Sequence, residues 1–452
     1  MKIFTAFITF SLLTLSSSAQ NSWHYMGNSA FNASHSSRID DVYFLNKSVG
    51  LALGDNIMKT TDGGNTWVTK TNLSSNFPNR LRSIEFLDDQ LTGIVGMVGL
   101  PANVYRTTDG GETWKDISLR IKDTIDTVGN RSICGLAHIG DIFYGVGLYA
   151  GYRARFYKST DKGQTWTVSQ VDTNLATQLI DVHFISADTG YVSGSCSRSA
   201  LRWSEEAVVL KTTDGGATWK KVFSDFTIGG RIWKMQFLNR QVAYASIEPR
   251  YIVDTVAIIK TMDGGDSWEI RGVNNEHSGM PDNGETQSVG FITPLRGWVG
   301  GWYNGLYETQ DGGISWTKID ITNFTEDINR FFRLDSNDMI ASGYGIFRFG
   351  DKKNFTTSAQ EVRKKETVKL LPIYPNPTGN KIHIEFDLEI ASTMILQVVN
   401  IEGKQVYPII NKMHQPGHYR YEWDASHLPD GQYMVWLDND LAPITQKFTV
   451  RH

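Results

Sequence analysis

One octapeptide, [Ser/Thr]-x-Asp-x-Gly-x-[Ser/Thr]-Trp, occurs six times between residues 60 and 316. The copies are Thr60–Trp67, Thr107–Trp114, Ser159–Trp166, Thr212–Trp219, Thr261–Trp268 and Thr309–Trp316. Their aspartates (Asp62, Asp109, Asp161, Asp214, Asp263 and Asp311) are spaced 47, 52, 53, 49 and 48 residues apart. A fixed period of about 50 residues with turn residues at set places marks a propeller or a solenoid array. The octapeptide itself reads as a hairpin turn. Asp and Ser/Thr side chains can bond the turn's own N–H groups, and glycine takes the positive-φ position. The tryptophans (Trp67, Trp114, Trp166, Trp219, Trp268 and Trp316) then pack between neighbouring repeats.

Each period also holds short runs with strand alternation and no helical spacing. In the first repeat these are 41–45, 49–53, 57–60 and 67–71. Four strands per repeat, closing around an axis, make a β-propeller. A seventh unit has three such runs, 329–334, 338–342 and 346–349, but no octapeptide. Its missing strand is available at Trp23–Met26. The expectation is an all-β chain: a seven-bladed propeller closed by its N-terminal strand, followed by a small C-terminal antiparallel β-sandwich. Closure leaves no exposed sheet edge around the ring.

The six octapeptides resemble Asp-boxes, the BNR repeats of sialidases, sortilin-like receptors, certain xyloglucan hydrolases and photosystem II assembly factor-like propellers. Second-strand pieces such as Thr189–Ser193 and Arg296–Gly300 are most similar to the assembly factor-like group. The resemblance covers about residues 23–351 and implies boxes that are structural turns at the blade periphery, without chemistry.

The ends of the chain carry addressing signals. Lys2, the apolar run Ile3–Leu15 and the small residues Ser16–Ala19 read as a secretory signal peptide over 1–19. The propeller is assigned to 20–351 and a polar linker to 352–368. Strand candidates then follow at 381–386, 394–399, 419–423, 432–436 and 446–450. Tyr374–Pro377, Val399–Gly403, Leu428–Tyr433 and Lys447–Val450 resemble, in order, the type A sorting domain of the Bacteroidota type IX secretion system. That resemblance covers 369–452. It implies the type IX machinery as a partner, and secretion or attachment at the outer-membrane surface of a Gram-negative bacterium.

Composition removes several function classes. With 44 basic and 48 acidic side chains the net charge is −4, which gives no bulk attraction to nucleic acid. No later stretch is long and apolar enough to span a membrane. Two cysteines, Cys134 and Cys196, can form one bridge at most, or remain two buried thiols. The ten histidines are scattered, and Pro416-Gly417 keeps His414 and His418, four apart, off one helix face, so neither a metal nor a cofactor is expected. There is no GxSxG elbow, P-loop or dinucleotide fingerprint in context. A sialidase-type Arg-Ile-Pro element is absent, its nearest match being Arg38-Ile39-Asp40.

One constellation suggests a site. Arginines fall near the start of the inner strand in five of seven blades: Arg38, Arg82, Arg131, Arg231 and Arg330, with Arg80 close by. Long loops expected on the same face carry Tyr149, Tyr152, Arg153, Arg155, Arg198, Arg202, Trp203, Arg250 and Tyr251. Guanidinium forks suit carboxylate or phosphate, and aromatic rings suit peptide or sugar. Asp40, Asp41, Glu85 and Asp181 are the acids near enough to pair with these arginines instead. The expectation is an exported, monomeric, non-catalytic propeller that binds a protein or an anionic glycan on its channel face. A glycoside hydrolase and a purely structural surface component are the rivals.

Overall fold

The computed structural model describes residues 22–26, 38–71, 80–99, 103–122, 132–147, 153–197, 205–227, 230–248, 255–274, 285–302, 305–319, 327–350, 368–388, 392–400, 406–415, 417–438 and 444–452. The signal peptide and nearly all of the linker lie outside these residues.

Seven antiparallel sheets follow in chain order. Blade one consists of Asp41–Phe44, Gly50–Leu53, Ile57–Thr60 and Val68–Thr69. The inner strands of blades two to seven are Arg80–Phe86, Gly135–Ile139, Gln178–Phe184, Arg231–Phe237, Glu285–Phe291 and Ile328–Asp335. Each inner strand lies against the next, and that of blade seven lies against that of blade one, so the ring is closed. The fourth strand of blade seven is Ser22–Tyr25, paired antiparallel with Ile346–Gly350 in the register Ser22↔Gly350 and Trp23↔Phe349. Blade three departs from the four-strand pattern. Ile121–Lys122 adds a fifth strand parallel to Trp166–Gln170, a run too short to show as an element in the sequence.

All six boxes join third to fourth strands and share one hydrogen-bond scheme. In box one, Gly64 N donates to Thr60 Oγ1 (2.9 Å), and Thr60 Oγ1 donates to Asp62 Oδ1 (2.8 Å). Thr66 N donates to Asp62 Oδ1 (2.8 Å), and Thr66 Oγ1 to Asp62 Oδ2 (2.6 Å). Four bonds on one side-chain pair hold the turn without outside help. They also stabilise the carboxylate form. Asp214 is held at about 2 by the Thr218 hydroxyl and backbone N–H. Burial works against ionisation at Asp109, yet Thr113 brings it to about 2 as well.

The second box glycine has positive φ and no room for a side chain. A Cβ on Gly216 (φ 94°) meets the Phe156 ring of the preceding blade. The first glycine position is taken by Lys162 in blade three at φ 58°, where the other boxes have glycine. Four of the box tryptophans pack on inner-strand phenylalanines, as in Phe86–Trp114 at 6.1 Å and Phe291–Trp316 at 6.2 Å, while Trp166 meets Phe143 and Trp219 meets Phe156.

A further periodic feature escaped the sequence reading. The residue directly ahead of each of the first five boxes is cationic and reaches into the next blade's box. Lys59 Nζ donates to Gly110 O (2.8 Å), Arg106 Nε to Lys162 O (2.8 Å) and Lys158 Nζ to Gly215 O (3.0 Å). Lys211 pairs with Asp266 (2.6 Å), and Lys260 Nζ donates to Gly312 O (3.4 Å). The sixth box is preceded by Glu308, and the blade after it has no box. Glu308 instead pairs with Arg296 (2.6 Å), whose guanidinium lies 4.6 Å from the Phe349 ring of blade seven. At that seam Trp23 packs edge-on against Trp298 at 5.3 Å. The last seam is closed by fully buried Arg348. It donates to Gly63 O (3.2 Å) and Lys47 O (2.9 Å), and pairs with Asp338.

The C-terminal domain is a two-sheet sandwich. One sheet holds Val368–Leu370, Lys381–Leu388 and Gly417–Asp424, and the other orders Val406–His414, Ser392–Asn400, Gly431–Asp438 and Ile444–Val450. Val368–Leu370 and Val406–His414 were not anticipated. Pro408 argues against a strand, but it sits on a sheet edge opposite Gln397, where the register shifts, which is where proline is tolerated. Ile384, Phe386, Leu396, Val398, Val435 and Phe448 fill the space between the sheets.

Candidate functional site

Strand direction places the boxes and the arginines on opposite faces. Inner strands begin at one face, second strands return to it, and third strands run away from it to end in the boxes. The loops between second and third strands therefore flank the start of the inner strands. This face is the mouth. Ser22 is the register partner of Gly350, so both ends of the propeller leave side by side on the box face.

Counted from the phenylalanine that ends the strand, Arg38 and Arg231 occupy the same level, six residues ahead of Phe44 and Phe237. Arg82 lies two residues deeper, four ahead of Phe86. The arginines share the start of the inner strands, and the structure distributes them over successive levels. The reason is a bulge in most inner strands: register breaks at Leu81/Ser83, Leu179/Asp181, Ile232/Met235, Thr286/Ser288 and Ile328/Arg330. A bulge leaves a residue outside the ladder and re-aims it. Arg82, Ile180, Trp233, Lys234, Gln287 and Asn329 are the residues released in this way.

Most of these side chains are tied to acids. Arg38 and Arg82 share Asp40 (both 2.8 Å), and Arg38 Nη1 donates to Gln287 Oε1 (3.1 Å). Arg330 of blade seven lies 3.1 Å from Asp41 and 3.7 Å from Asp181 of blade four. Lys234 is 3.5 Å from Asp181. Arg231 holds Glu205 through Nε and Nη2 at 3.1 and 2.7 Å. Asp41 and Asp181 also accept the N–H groups of Ile84 (3.1 Å) and Met235 (2.8 Å), where the neighbouring strands bulge. Burial disfavours the charge on Arg82 and Arg330, and their carboxylates more than restore it, raising both.

Two of these contacts cross the channel. The Arg82 guanidinium of blade two lies 5.2 Å from the Trp233 ring of blade five, and Arg330 reaches Asp181. The channel is thus spanned at two levels, and the mouth has a floor. Asp40 was named in the sequence reading as an available acid. Trp233, Lys234, Gln287 and Glu205 were not singled out, because nothing in a single strand shows a bulge.

Of the loop candidates, Arg153 is exposed at the mouth. Arg155 is buried at the start of Arg155–Ser159, with Nη1 3.4 Å from Gln170 Oε1. Arg131, Tyr149, Tyr152, Arg198, Arg202, Trp203, Arg250 and Tyr251 lie outside the described residues. Cys134 and Cys196 are both buried free thiols, in blades three and four.

Deeper in the ring, His138 sits between Glu85 (2.9 Å) and Asp88 (3.4 Å). Burial alone would depress it, but these two acids carry it to about 9. His183 stacks on Phe237 at 4.5 Å, and burial pushes it down to about 4. No cluster of three metal-ligating side chains occurs among the described residues.

Residues 372–451 match the family described as secretion system C-terminal sorting domain. Residues 17–133 match the family described as photosynthesis system II assembly factor YCF48. No curated protein matches in sequence. Among solved structures, YCF48 bound to D1 peptide is similar over 73% of this chain and 96% of its own, at 18% identity and TM-score 0.51. YCF48 from Cyanidioschyzon merolae is similar over 74% and 99%, at 17% identity and TM-score 0.51. The GH74 enzyme of Niastella koreensis is similar over 92% of this chain and 73% of its own, at 13% identity and TM-score 0.52. These likenesses establish the fold. The chain is an Asp-box propeller similar to the assembly-factor propellers, and it carries the sorting tail of type IX secretion that sends it to the cell surface or beyond.

Proposed function

We propose that this exported propeller is a non-catalytic binding protein whose ligand, a protein segment, docks at the mouth. The observation that carries the reading is the engagement of four carboxylates at the mouth: Asp40, Asp41, Asp181 and Glu205 are each committed to a guanidinium, an ammonium or a backbone N–H. Glycoside hydrolysis needs a protonated acid and a second carboxyl about 5–10 Å away, both turned to substrate. Carboxylates locked in ion pairs serve poorly as either. Arg38 and Arg82 share a single acid, so this part of the floor keeps one positive charge in excess. That suits a ligand rich in carbonyl or carboxylate oxygens. A propeller of this fold has been solved with a peptide bound. Both ends of the ring leave on the box face, away from the mouth.

The test is binding of the full mature chain to peptide and glycan arrays, beside an Arg38→Ala/Arg231→Ala double variant whose folding is checked by circular dichroism. The expected result is retention of peptides, weakened tenfold or more in the variant, with every array sugar intact. Hydrolysis of any sugar, or equal binding by a folded variant, contradicts the reading.

A further inference from the structure

We propose that Trp233 and Asn329 are the polar contacts that read the backbone of an extended peptide at the floor of the mouth; this rests on the binding role proposed above. Trp233 is placed there by the bulge between Ile232 and Met235. The guanidinium groups of Arg82 and Arg231 lie over its ring, 5.2 and 5.8 Å from the centroid. A sugar stacks on an open aromatic face, and this ring already has cations over it. What the indole still offers is its edge. Its Nε1–H is buried and has no acceptor among the described residues.

Asn329, released by the bulge of blade seven, offers the complement. Its Nδ2 donates to Ile39 O (3.3 Å), while its buried Oδ1 has no donor among the described residues. Counted from the strand cores, Trp233 and Asn329 fall at the level of Asp40 and Arg82, two blades apart. The other charged and amide side chains there are bonded: Arg82 to Asp40, Asp40 to both arginines, Gln287 to Arg38. The floor therefore needs one acceptor and one donor. Buried polar groups left unpaired cost about 1–3 kcal/mol each. An extended peptide supplies a carbonyl and an N–H along one edge, without needing a particular side chain. The reading therefore predicts recognition of backbone more than of sequence at this level.

The probe is an arrayed library of random 12-residue peptides, N-acetylated and C-amidated so that no terminal charge contributes. It is read with the full mature chain and with Trp233→Phe, which keeps a ring and removes the N–H. The expected result is that wild type retains a set of peptides and the variant binds them at least tenfold more weakly, at an unchanged unfolding midpoint. In 15N-tryptophan spectra of the wild type, one indole N–H resonance should move downfield on adding a retained peptide and be missing from the variant. Wild type that binds no capped peptide overturns this proposal together with the binding role. Retention of the same peptides by Trp233→Phe at equal affinity overturns this proposal alone. So does a glycan that competes for the site and is bound equally by the variant.

Discussion

The two faces of the ring are built on different principles. On the box face each turn satisfies itself: Asp, two hydroxyls and the N–H of the second glycine make the same bonds six times. Five seams there are fastened by a cation set one residue ahead of the box. On the mouth face there is no such shared scheme. One level holds Asp40, Arg82, Cys134, Ile180, Trp233, Gln287 and Asn329, a different residue in every blade, and two of its contacts join blades that are not neighbours. The repeated face supports the fold, and the unrepeated face is where recognition has been free to diversify.

That division can be broken in order of expected effect. Arg348 has the most to lose. It is fully buried, pairs with Asp338, and reaches two carbonyls of blade one, where the ring closes. Arg348→Ala leaves a buried carboxylate unpaired and should destabilise by about 3–5 kcal/mol, read by chemical unfolding. A loss under about 1 kcal/mol would mean that the closing seam does not depend on it.

Next comes Gly216→Ala. It forces a side chain into a positive φ and into the Phe156 ring, so about 2–4 kcal/mol should be lost. An unchanged midpoint would show that the blades can separate there freely.

The boxes also predict a pH limit. Asp109 and Asp311 titrate near 2 in the folded ring, and their unfolded value is near 3.8. Their contribution is fully present above about pH 4 and is lost as pH falls toward 2, because the unfolded chain takes up the protons first. His183, held neutral near 4, adds a loss as pH falls below about 6.5. His138 works the other way: raised to about 9, it stabilises below about 6.5, and that stabilisation fades as pH rises through 9. Unfolding midpoints measured from pH 2 to 10 should therefore fall at both ends. Glu85→Gln should flatten the alkaline limb only.

The smallest effect belongs to a single latch. Lys59→Met removes the bond to Gly110 O and the pair with Glu112, and should cost about 1 kcal/mol. The same change at Arg153, exposed on the mouth, should leave the midpoint within about 0.5 kcal/mol.

The box face was readable from the sequence because its bonds are local. Asp62 bonds Thr60 and Thr66, two and four residues away, so the octapeptide contains its own structure. Ring closure was readable too, since Trp23–Met26 supplies the strand that blade seven lacks. The mouth was only partly readable. Its arginines are evident, but their depth depends on bulges, and their partners lie far along the chain, as with Arg38 and Gln287, 249 residues apart. Trp233 gave no signal, because tryptophan in a strand usually reads as core. The cation before each box could have been found: five of six boxes carry it, and the exception precedes the one blade without a box.

The most direct test of this division is hydroxyl-radical footprinting of the full mature chain, with and without a peptide retained on the array. Trp233 at the mouth should be protected on binding, while Leu295 and Ile314, both exposed on the box face, react as before. Protection of Leu295 and Ile314 with Trp233 unchanged would place recognition on the repeated face and contradict the account.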